Sequence, residues 1–572
     1  MKSLYRVLAI ALIPLAVTAC SSAPEVDPEE APPAEMPAFD EEEQEETVHL
    51  RILGFNDIHG ALEGPNGEVT VDGEEVEAGG VHYLGAHLEK LRGEADHTTV
   101  VHAGDLIGAS PLTSALFHDE PTIEAMNKAG LDIAGVGNHE FDQGVDEFLR
   151  IVEGGCHAEE GCREGYEYEG AEFSYLAANV RWRDSGMSIL PPYKVRQYGD
   201  VTVGYIGMTL EDTPSVVVPS AIEDVTFHSE AKVVEEYLPE LQAKGVDTIV
   251  VVVHEGAVPH GESGEIDDCD DVRGPIVSVT EEMPEEVEVI VSGHTHSAYI
   301  CEFDDRLVTQ AGHSGRIISV IDLEFDAATG ALVEHSAHQH PVTDDIEPHP
   351  EIAELLDKYV ALAEERAGRV VGMITDDLPR GPRTAAGESP IGRLIADAQL
   401  AATKEEADAQ IAFMNPGGIR DQLRYDDESD EPGSVTYAQL HTIQPFANVL
   451  ITMTLNGEQI HKVLERQWRD GDQRPHVLAV SSGFRYEYDP EAPLGERVEP
   501  DSITLDGETI DPDEEYRVTV NNFLADGGDG FTVLEEGSDR VTGIVDLDAL
   551  ADYIEAHAPI DPPTDVRATE LE

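Results

Sequence analysis

The stretch Gly137-Asn138-His139-Glu140-Phe141-Asp142 places amide, imidazole and carboxylate groups side by side, directly after the apolar run at 133–136. A short β-branched run that ends in a glycine and polar groups is typical of a buried strand at a ligand-binding sheet edge. The same phrase recurs after apolar runs at 48–55, 98–103, 248–253 and 287–292. Helical stretches such as 83–91 separate these runs. The sequence therefore predicts an α/β domain whose strand ends gather polar side chains.

Every one of these strand ends carries oxygen or nitrogen donors that can bind a metal ion. The candidate ligands are Asp57, His59, Asp105, Asn138, His254, His294 and His296. A lone histidine or aspartate at a strand end is usually a cap or a core residue, but successive ends that carry only such donors indicate one shared site. Because side chains two residues apart in an extended segment point the same way, we expect Asp57 with His59, and His294 with His296, to reach one volume.

The pattern predicts a two-metal centre, with Asp105 as the best candidate for a carboxylate shared between the ions. Two divalent ions about 3.5 to 4 Å apart can acidify a shared water and clamp a phosphoryl group for in-line attack. No Gly-x-Ser-x-Gly elbow is found in the sequence, so a serine nucleophile of that type is not indicated. The donor set suits zinc, manganese, iron or cobalt, and the sequence does not choose among them.

In this order, Asp-x-His, Gly-Asp, Gly-Asn-His-Glu, His and Gly-His-x-His resemble the motifs of the calcineurin-like metallophosphatase family. The extended motif at 137–142 is similar to that of its 5'-nucleotidase and UDP-sugar hydrolase branch, and the resemblance runs from about residue 47 to 560. It implies an α/β fold in which an N-terminal metallophosphatase β-sandwich, flanked by helices, is joined by a helix to a mixed α/β substrate-binding domain.

The resemblance also implies roles for single residues. One metal would be held by Asp57, His59, Asp105 and His296, and the other by Asp105, Asn138, His254 and His294. His139, oriented by Asp142, would not be a ligand. It would face the phosphate and stabilise charge on the transferred phosphoryl group or on the leaving oxygen.

After the phosphatase motifs the sequence changes character. Residues 350–367 are charged and carry apolar residues at helical spacing, which predicts a connecting helix. The segment that follows predicts a mixed α/β domain with a helix near 394–400 and turns at Asn456-Gly457 and Asp506-Gly507. We predict a metallophosphatase domain at 47–345, the connecting helix at 346–368, a nucleotide-binding domain at 369–562 and a tail at 563–572.

The phrases around the Asn415-Pro416-Gly417-Gly418-Ile419-Arg420 turn, Gln444-Pro445-Phe446 and the stretch from Asn521 to Phe531 are similar to those of 5'-nucleotidase C-terminal domains. That resemblance implies substrate contacts by Arg383, Asn415, Arg420, Phe446, Phe523 and Asp529. Phe446 and Phe523 would stack on the nucleobase, Asp529 would hold the ribose hydroxyls, and Asn415 and Arg420 would contact base or phosphate. Stacking suits a base-tolerant enzyme, because every base has a π-face.

One substrate residue departs from the family pattern. Arg383 is displaced by an apparent insertion before the Glu388 helix start, so Arg380 or Arg393 is an alternative phosphate contact.

The first residues predict export. Lys2 and Arg6 precede an apolar run at 7–16 that is too short to span a bilayer, and small residues then lead to Cys20. This pattern resembles the signal of bacterial lipoproteins, in which Cys20 would carry the lipid; an ordinary cleaved signal peptide is the alternative. We predict a signal at 1–20, then an acidic disordered tether at 21–46. The protein would be anchored on the periplasmic or outer face of a bacterial membrane through Cys20 alone.

The net charge limits the possible partners, and the cysteines suggest disulfides. With 117 acidic and 35 basic side chains the formal net charge is −82, which argues against a nucleic acid polymer as partner. In an oxidising compartment, Cys156 with Cys162 and Cys269 with Cys301 could form disulfides, although four cysteines allow three pairings and metal binding is an alternative. The oligomeric state stays open.

The predicted function is hydrolysis of extracytoplasmic 5'-nucleotides, and of UDP-sugars, by two metal ions for nucleotide scavenging. On the same scaffold, 2',3'-cyclic phosphodiesterase with 3'-nucleotidase activity or thiosulfate-ester hydrolysis are alternatives. A different class of protein, a catalytically inactive nucleotide-binding surface lipoprotein, would keep the fold without the chemistry.

Overall fold

The structure of the chain is a computed structural model, which describes residues 47–158, 161–162, 168–217, 221–261, 264–381, 388–426, 431–446, 448–469 and 475–571. The signal and tether predictions for residues 1–46, and Cys20 with them, lie outside the described residues. Within those ranges no helix combines the length and the apolar character that a membrane span requires.

The first domain is built from two six-stranded sheets and smaller two-stranded sheets, with helices around them. Its strands are β1 (Thr47–Phe55), β2 (Gly67–Val71), β3 (Glu74–Ala78), β4 (Thr98–Ala103), β5 (Ile133–Gly135), β6 (Ser174–Leu176), β7 (Val180–Trp182), β8 (Tyr193–Tyr198), β9 (Val201–Thr209), β10 (Val225–Phe227), β11 (Thr248–His254), β12 (Val287–Val291), β13 (Ala298–Phe303), β14 (Arg306–Ala311), β15 (Ile317–Asp326) and β16 (Leu332–Pro341). Its helices are α1 (Val81–Arg92), α2 (Leu112–Ala115), α3 (Glu120–Ala129), α4 (Val145–Glu153), α5 (Glu230–Ala243) and α6 (Pro275–Glu282).

Two six-stranded sheets form a sandwich, in the orders β16-β15-β1-β4-β5-β6 and β13-β14-β12-β11-β9-β8, and the two-stranded sheets are β2-β3 and β7-β10. Strands β1, β4, β5 and β6 run parallel, as do β9, β11, β12 and β14. Alternate side chains of both sheets, such as Leu50 and Ile52 on β1 and Val250 and Val252 on β11, meet in one buried core. The predicted metallophosphatase sandwich is confirmed, and its parallel strands end on the same side.

A connecting helix and a second domain follow. The elements are α7 (Pro350–Ala367), β17 (Val370–Met373), α8 (Pro390–Thr403), β18 (Ile411–Met414), β19 (Ser434–Thr436), α9 (Tyr437–Ile443), β20 (Val449–Asn456), α10 (Gly457–Glu465), β21 (Ala479–Val480), β22 (Phe484–Tyr488), β23 (Thr504–Leu505), β24 (Glu508–Thr509), β25 (Glu515–Asn521), α11 (Asn522–Ala525), β26 (Ser538–Val545), α12 (Asp546–His557) and β27 (Ala568–Glu570). A five-stranded sheet, β21-β18-β25-β20-β26, a four-stranded sheet, β24-β23-β22-β27, and a two-stranded sheet, β17-β19, make the predicted mixed α/β domain with its helices.

The second domain corrects two local predictions. Asn456-Gly457 is not a hairpin turn: Asn456 caps α10, accepting the Gln459 backbone N–H at 2.8 Å, and the Gln459 side chain accepts the Asn456 N–H at 2.9 Å. Residues 563–572, predicted as a tail, contribute β27, which pairs in parallel with β22. The Asp506-Gly507 turn does join two antiparallel strands, β23 and β24.

Two disulfides lie in the first domain, Cys156–Cys162 and Cys269–Cys301. This is the pairing that the sequence suggested, and it excludes metal binding by these thiols.

Candidate functional site: two ligand clusters beside an aromatic cavity

The predicted metal ligands lie together where the parallel strands of both sheets end. Their donor atoms form two clusters, Asp57 with His59 and His296, and Asp105 with His254 and His294. Asp105 Oδ2 lies 2.9 Å from His254 Nε2 and 3.7 Å from His59 Nε2, so this carboxylate reaches both clusters. Asn138 Oδ1 lies 3.1 Å from His294 Nδ1 and joins the second cluster.

The backbone brings these side chains together in a way that the sequence argument did not anticipate. Left-handed φ angles occur at five of the predicted ligands: Asp57 (51°), His59 (49°), Asp105 (56°), His294 (73°) and His296 (56°). The expectation of an extended backbone at Asp57–His59 and His294–His296 was therefore wrong. L-residues pay a steric cost in this region, and such strain is characteristic of functional loops.

Close backbone approach between neighbouring loops also shapes the site. A Cβ atom at Gly137 would lie 2.1 Å from Asp105 Oδ1, and one at Gly104 would lie 2.6 Å from His254 Nδ1. Glycine at both positions lets the loops after β4 and β5 touch.

Hydrogen bonds orient the imidazoles toward the clusters. His59 Nδ1 donates to Gly108 O at 2.9 Å and His254 Nδ1 donates to Ala103 O at 2.8 Å, which leaves each Nε2 as an electron-pair donor. His59 Nε2 then faces His296 Nε2 at 3.0 Å. Two such nitrogens in contact are stabilised when a cation or proton lies between them.

The residues fit divalent metal ions by a second observation. In the described part of the chain, Asp57 Oδ1 and His254 Nε2 are buried atoms without a well-directed hydrogen bond. Buried polar atoms rarely stay unsatisfied, and carboxylate and imidazole donors suit a borderline cation. The electrostatic field of the site also favours a cation. Burial lowers the pKa of His254, but the negative charges of Asp105 and Asp57 outweigh burial and raise that pKa to about 10. The cluster therefore attracts positive charge.

His139 lies beside both clusters and faces the second domain. Its Nδ1 donates to Asp142 Oδ2 at 2.8 Å, and its backbone N–H donates to Asp105 Oδ1 at 2.9 Å. Its ring stacks on Phe446, with centroids 5.6 Å apart and planes inclined by 13°. A ring nitrogen of His139 also comes within 4.8 Å of donors of His59 and Asp105, so its predicted role as a non-ligand stays a prediction.

Glu140 has a role that the sequence did not reveal. Its buried carboxylate accepts backbone N–H groups of Asp105 at 3.0 Å, Leu106 at 2.8 Å and Gly137 at 2.6 Å. Burial and the nearby Asp105 raise the pKa of Glu140 to about 7. The carboxylate ties together the loops that carry Asp105 and Asn138. Its place inside the 137–142 motif was the available signal.

The predicted nucleobase residues surround a cavity of about 180 Å³. Its walls include Asn138, His139, Asp142, Val217, His294, Asn415, Arg420, Phe446, Asn448, Asn521, Phe523 and Asp529. Asn415 Nδ2 donates to Asp529 Oδ2 at 2.8 Å, and Asn521 Nδ2 donates to Asn415 Oδ1 at 3.0 Å. The cavity thus has walls from both domains, including Val217, for which the sequence gave no signal.

Arginines line the larger neighbouring cleft, a cavity of about 1030 Å³ that also reaches His59, His139 and His296. Arg420 and Arg380 lie in its wall, and Arg380 Nη1 donates to Arg420 O at 3.2 Å. Arg393 is excluded as the alternative phosphate contact, because it is 3% exposed and donates to Pro563 O at 2.9 Å. Arg383 lies outside the described residues.

Comparison with known proteins identifies both halves. Residues 50–298 match the model of the calcineurin-like phosphoesterase family, and residues 370–536 match that of the 5'-nucleotidase C-terminal domain. Endonuclease YhcR of Bacillus subtilis is 34% identical over 520 residues, which cover 90% of this chain and 40% of the relative. The chain thus spans less than half of that relative's length.

Two more similarities extend over most of the chain. Cell wall protein Lmo0130 of Listeria monocytogenes is 29% identical over 538 residues, or 89% of this chain and 67% of the relative. The crystal structure of a 5'-nucleotidase precursor from Thermus thermophilus superposes with a TM-score of 0.73 at 28% identity, covering 91% of this chain and 99% of that one.

Proposed function

Because this chain belongs to the 5'-nucleotidase family and is a metal-dependent hydrolase of the calcineurin-like phosphoesterase type, we propose that it releases phosphate from 5'-nucleotides outside the cytoplasm. The observation that carries the proposal is the shared wall between the aromatic cavity and the ligand clusters. Asn138 and His294 line the same cavity as Phe446 and Phe523. A base held between the rings places its 5'-phosphate at the metal ligands.

The ligand clusters would hold two divalent ions, whose identity stays open among zinc, manganese, cobalt and iron. Asp57, His59, Asp105 and His296 would bind one ion, and Asp105, Asn138, His254 and His294 the other. The chemistry that such a pair supplies is acidification of a water molecule and neutralisation of charge on the phosphoryl oxygens. The protein's part is to fix the ligands, which it does through the strained loops and the hydrogen bonds of their imidazoles.

His139 would act on the leaving oxygen. Asp142 fixes the ring by accepting its Nδ1–H, so Nε2 is the nitrogen available to the substrate. A positioned donor there would stabilise the charge that develops as the ester bond breaks. Stacking on Phe446 restricts the ring further.

The second domain would present the nucleotide. Phe446 and Phe523 stack on the base, Asp529 and Asn415 meet the ribose or base, and Arg420 meets phosphate. Burial lowers the pKa of Arg420, while Asp105, Asp142 and Asp57 oppose that change and keep the guanidinium charged beside the clusters. Arg383 stays a predicted contact, and Arg380, in the same cleft wall as Arg420, is the described alternative.

Export through the N-terminal signal, with a lipid on Cys20, is part of the proposal. It is supported by the signal pattern of residues 1–20, by two disulfides, and by a relative that is named a cell wall protein. An enzyme in that place would supply nucleosides and phosphate for uptake, and UDP-sugars would be further substrates.

The test is phosphate release by the full chain, stripped of metal and resupplied with zinc, manganese or cobalt. The panel contains AMP, UDP-glucose, 3'-AMP, 2',3'-cyclic AMP, a short single-stranded oligonucleotide and ribose 5-phosphate, which lacks a base. We expect metal-dependent release, fastest from AMP and slower from ribose 5-phosphate. Preference for 3'-AMP or the cyclic ester would replace the proposed reaction, cleavage of the oligonucleotide would favour a nuclease, and no release with any metal would favour a binding protein.

A further inference from the structure

Phe446 is held on a loop rather than on a strand or helix. It follows α9 by three residues, and its ring stacks on His139 and has the guanidinium carbon of Arg420 5.7 Å from its centroid. Both neighbours touch the ring through ring contacts only, without a hydrogen bond that fixes its position. The ring therefore needs support from behind if it is to meet a base at a fixed distance.

One residue behind the loop contacts both of its ends. Asp546, the first residue of α12, is 2% exposed, and its Oδ2 accepts the Gln444 Nε2–H at 3.1 Å. The Asp546 backbone N–H donates to Asn448 O at 2.8 Å. Gln444 is 1% exposed and precedes Phe446 by two residues, and Asn448 follows it by two. Asp546 therefore contacts the chain on both sides of Phe446.

The same network reaches the opposite ring. Val449 N donates to Asn522 Oδ1 at 3.0 Å, and Asn522 directly precedes Phe523. The ring of Phe523 packs on Gly528, where a Cβ atom would lie 2.5 Å from its Cζ. The chain that Asp546 contacts at Asn448 therefore leads through Val449 to Asn522, the neighbour of Phe523. The distance between the two rings depends on the contacts of Asp546 and on the packing of Phe523.

Asp546 has no part in the hydrolysis described above, yet its burial costs free energy. Burial raises the pKa of Asp546 to about 7, although hydrogen bonds from Leu547, Asn448 and Gln444 act in the opposite direction. A carboxyl group kept in such a place contributes specificity of structure more than stability. What it specifies here is the position of residues 444–446 and of Asn448.

We propose that Asp546 is a positioning residue for the nucleobase clamp, which sets the spacing of Phe446 and Phe523 through Gln444, Asn448 and Asn522. The inference rests on the proposed function only in taking the cavity as a nucleobase site. It concerns binding of the base and leaves the metal centre untouched.

The test measures the dissociation constant of adenosine by calorimetry, because adenosine carries the base without a reacting phosphate. Asp546→Ala should weaken adenosine about tenfold, a part of the stacking free energy of a base. Asp546→Asn, which keeps the size and one hydrogen bond to Gln444, should restore binding to within about threefold of wild type. Gln444→Met, which removes the donor and leaves Asp546 in place, should weaken it as Asp546→Ala does. Asp552→Ala, an exposed carboxylate on the same helix, is the matched control and should change nothing.

Turnover separates positioning from general damage. Asp546→Ala should raise KM for AMP and lower kcat/KM for ribose 5-phosphate far less than kcat/KM for AMP. The inference is overturned if adenosine affinity is unchanged in both Asp546→Ala and Gln444→Met, if ribose 5-phosphate hydrolysis falls equally with that of AMP, or if the wild type binds no adenosine. If Asp546→Ala does not fold, Gln444→Met and Asp546→Asn decide alone. Adenosine binding with this pattern but no phosphate release from nucleotides would refute the proposed hydrolysis and leave the inference standing.

Discussion

The loops that carry the candidate metal ligands and the rings of the proposed clamp, Phe446 and Phe523, border one cavity, but they are held in different ways. The candidate ligands sit on backbone that is strained at five positions, and the imidazoles of His59 and His254 are fixed by the main-chain carbonyls of Gly108 and Ala103. Phe446 and Phe523 are half-buried rings on loops, supported by side chains such as Asp546 and Asn522. Charge stabilisation falls steeply with misplacement, whereas stacking adds binding free energy for any substrate that carries a base. The rigid half should therefore control catalytic rate, and the softer half should control which substrate is bound.

The largest effect should come from Asp105→Asn, which keeps the shape but removes the charge that reaches both clusters. We expect kcat to fall by more than about 100-fold for AMP and ribose 5-phosphate alike. About 100-fold is the largest loss usual for residues that only support a metal ligand, and a ligand itself should matter more. Metal content and turnover should be measured together. Asp200→Asn, at an exposed position, serves as control. Loss for AMP alone would mean that Asp105 acts on the base and not on the metals, and the division between the two halves would fail.

Glu140→Gln should come next. The amide presents an N–H₂ group to backbone donors that the carboxylate now satisfies, so the loops that carry Asp105 and Asn138 should separate. Metal affinity or turnover should fall about 10- to 100-fold, again for both substrates. A metal titration monitored by activity distinguishes a loss of metal affinity from a loss of turnover. If excess metal restores full turnover, Glu140 acts through affinity alone; if nothing changes, the loops are rigid without it.

The rigid half was also the half that the sequence predicted best. Ligands such as Asp57 and His59 come directly after apolar strands, so local pattern and chemistry coincide in one short phrase. The convergence of those side chains was predicted from an extended backbone, which the structure does not have. Both residues have a left-handed φ, and residue spacing alone does not reveal that conformation.

The softer half depends on contacts between residues distant in sequence. Val217 of the first domain and Asn448 of the second meet in one cavity, and only the folded chain shows it. Arg393 was one of two alternatives to Arg383 as the phosphate contact, but it is a buried donor to the main-chain carbonyl of Pro563. Asn456-Gly457 fits a turn and a helix cap equally well as local sequence, and Gln459 decides for the cap.

A smaller and more selective effect is expected for Phe523→Ala. Loss of stacking on a base costs about 1 to 3 kcal/mol, or roughly a 5- to 150-fold higher KM for AMP. Ribose 5-phosphate has no base, so its kcat/KM should stay within about twofold, a difference that corresponds to less than about 0.5 kcal/mol. Phe446→Ala provides the comparison, because its ring also stacks on His139 and its loss should slow both substrates. Equal effects of the two substitutions on ribose 5-phosphate would show that the proposed clamp and His139 do not act separately.

The smallest effect on turnover should come from replacing Cys269 and Cys301 by serine. The pair closes a separation of 32 residues in the first domain, and the chain-entropy model gives about 3 to 4 kcal/mol of stabilisation for a loop of that size. Since neither cysteine reaches the ligand clusters, kcat should be unchanged at 25 °C while the urea midpoint of unfolding falls. The Cys156–Cys162 pair, with a separation of 6, should lower the midpoint less when replaced in the same way. A fall in kcat without a change in midpoint would mean that the disulfide on β13 affects the position of His294 and His296, which lie just before that strand. These two candidate ligands would then be less rigidly held than the comparison assumes.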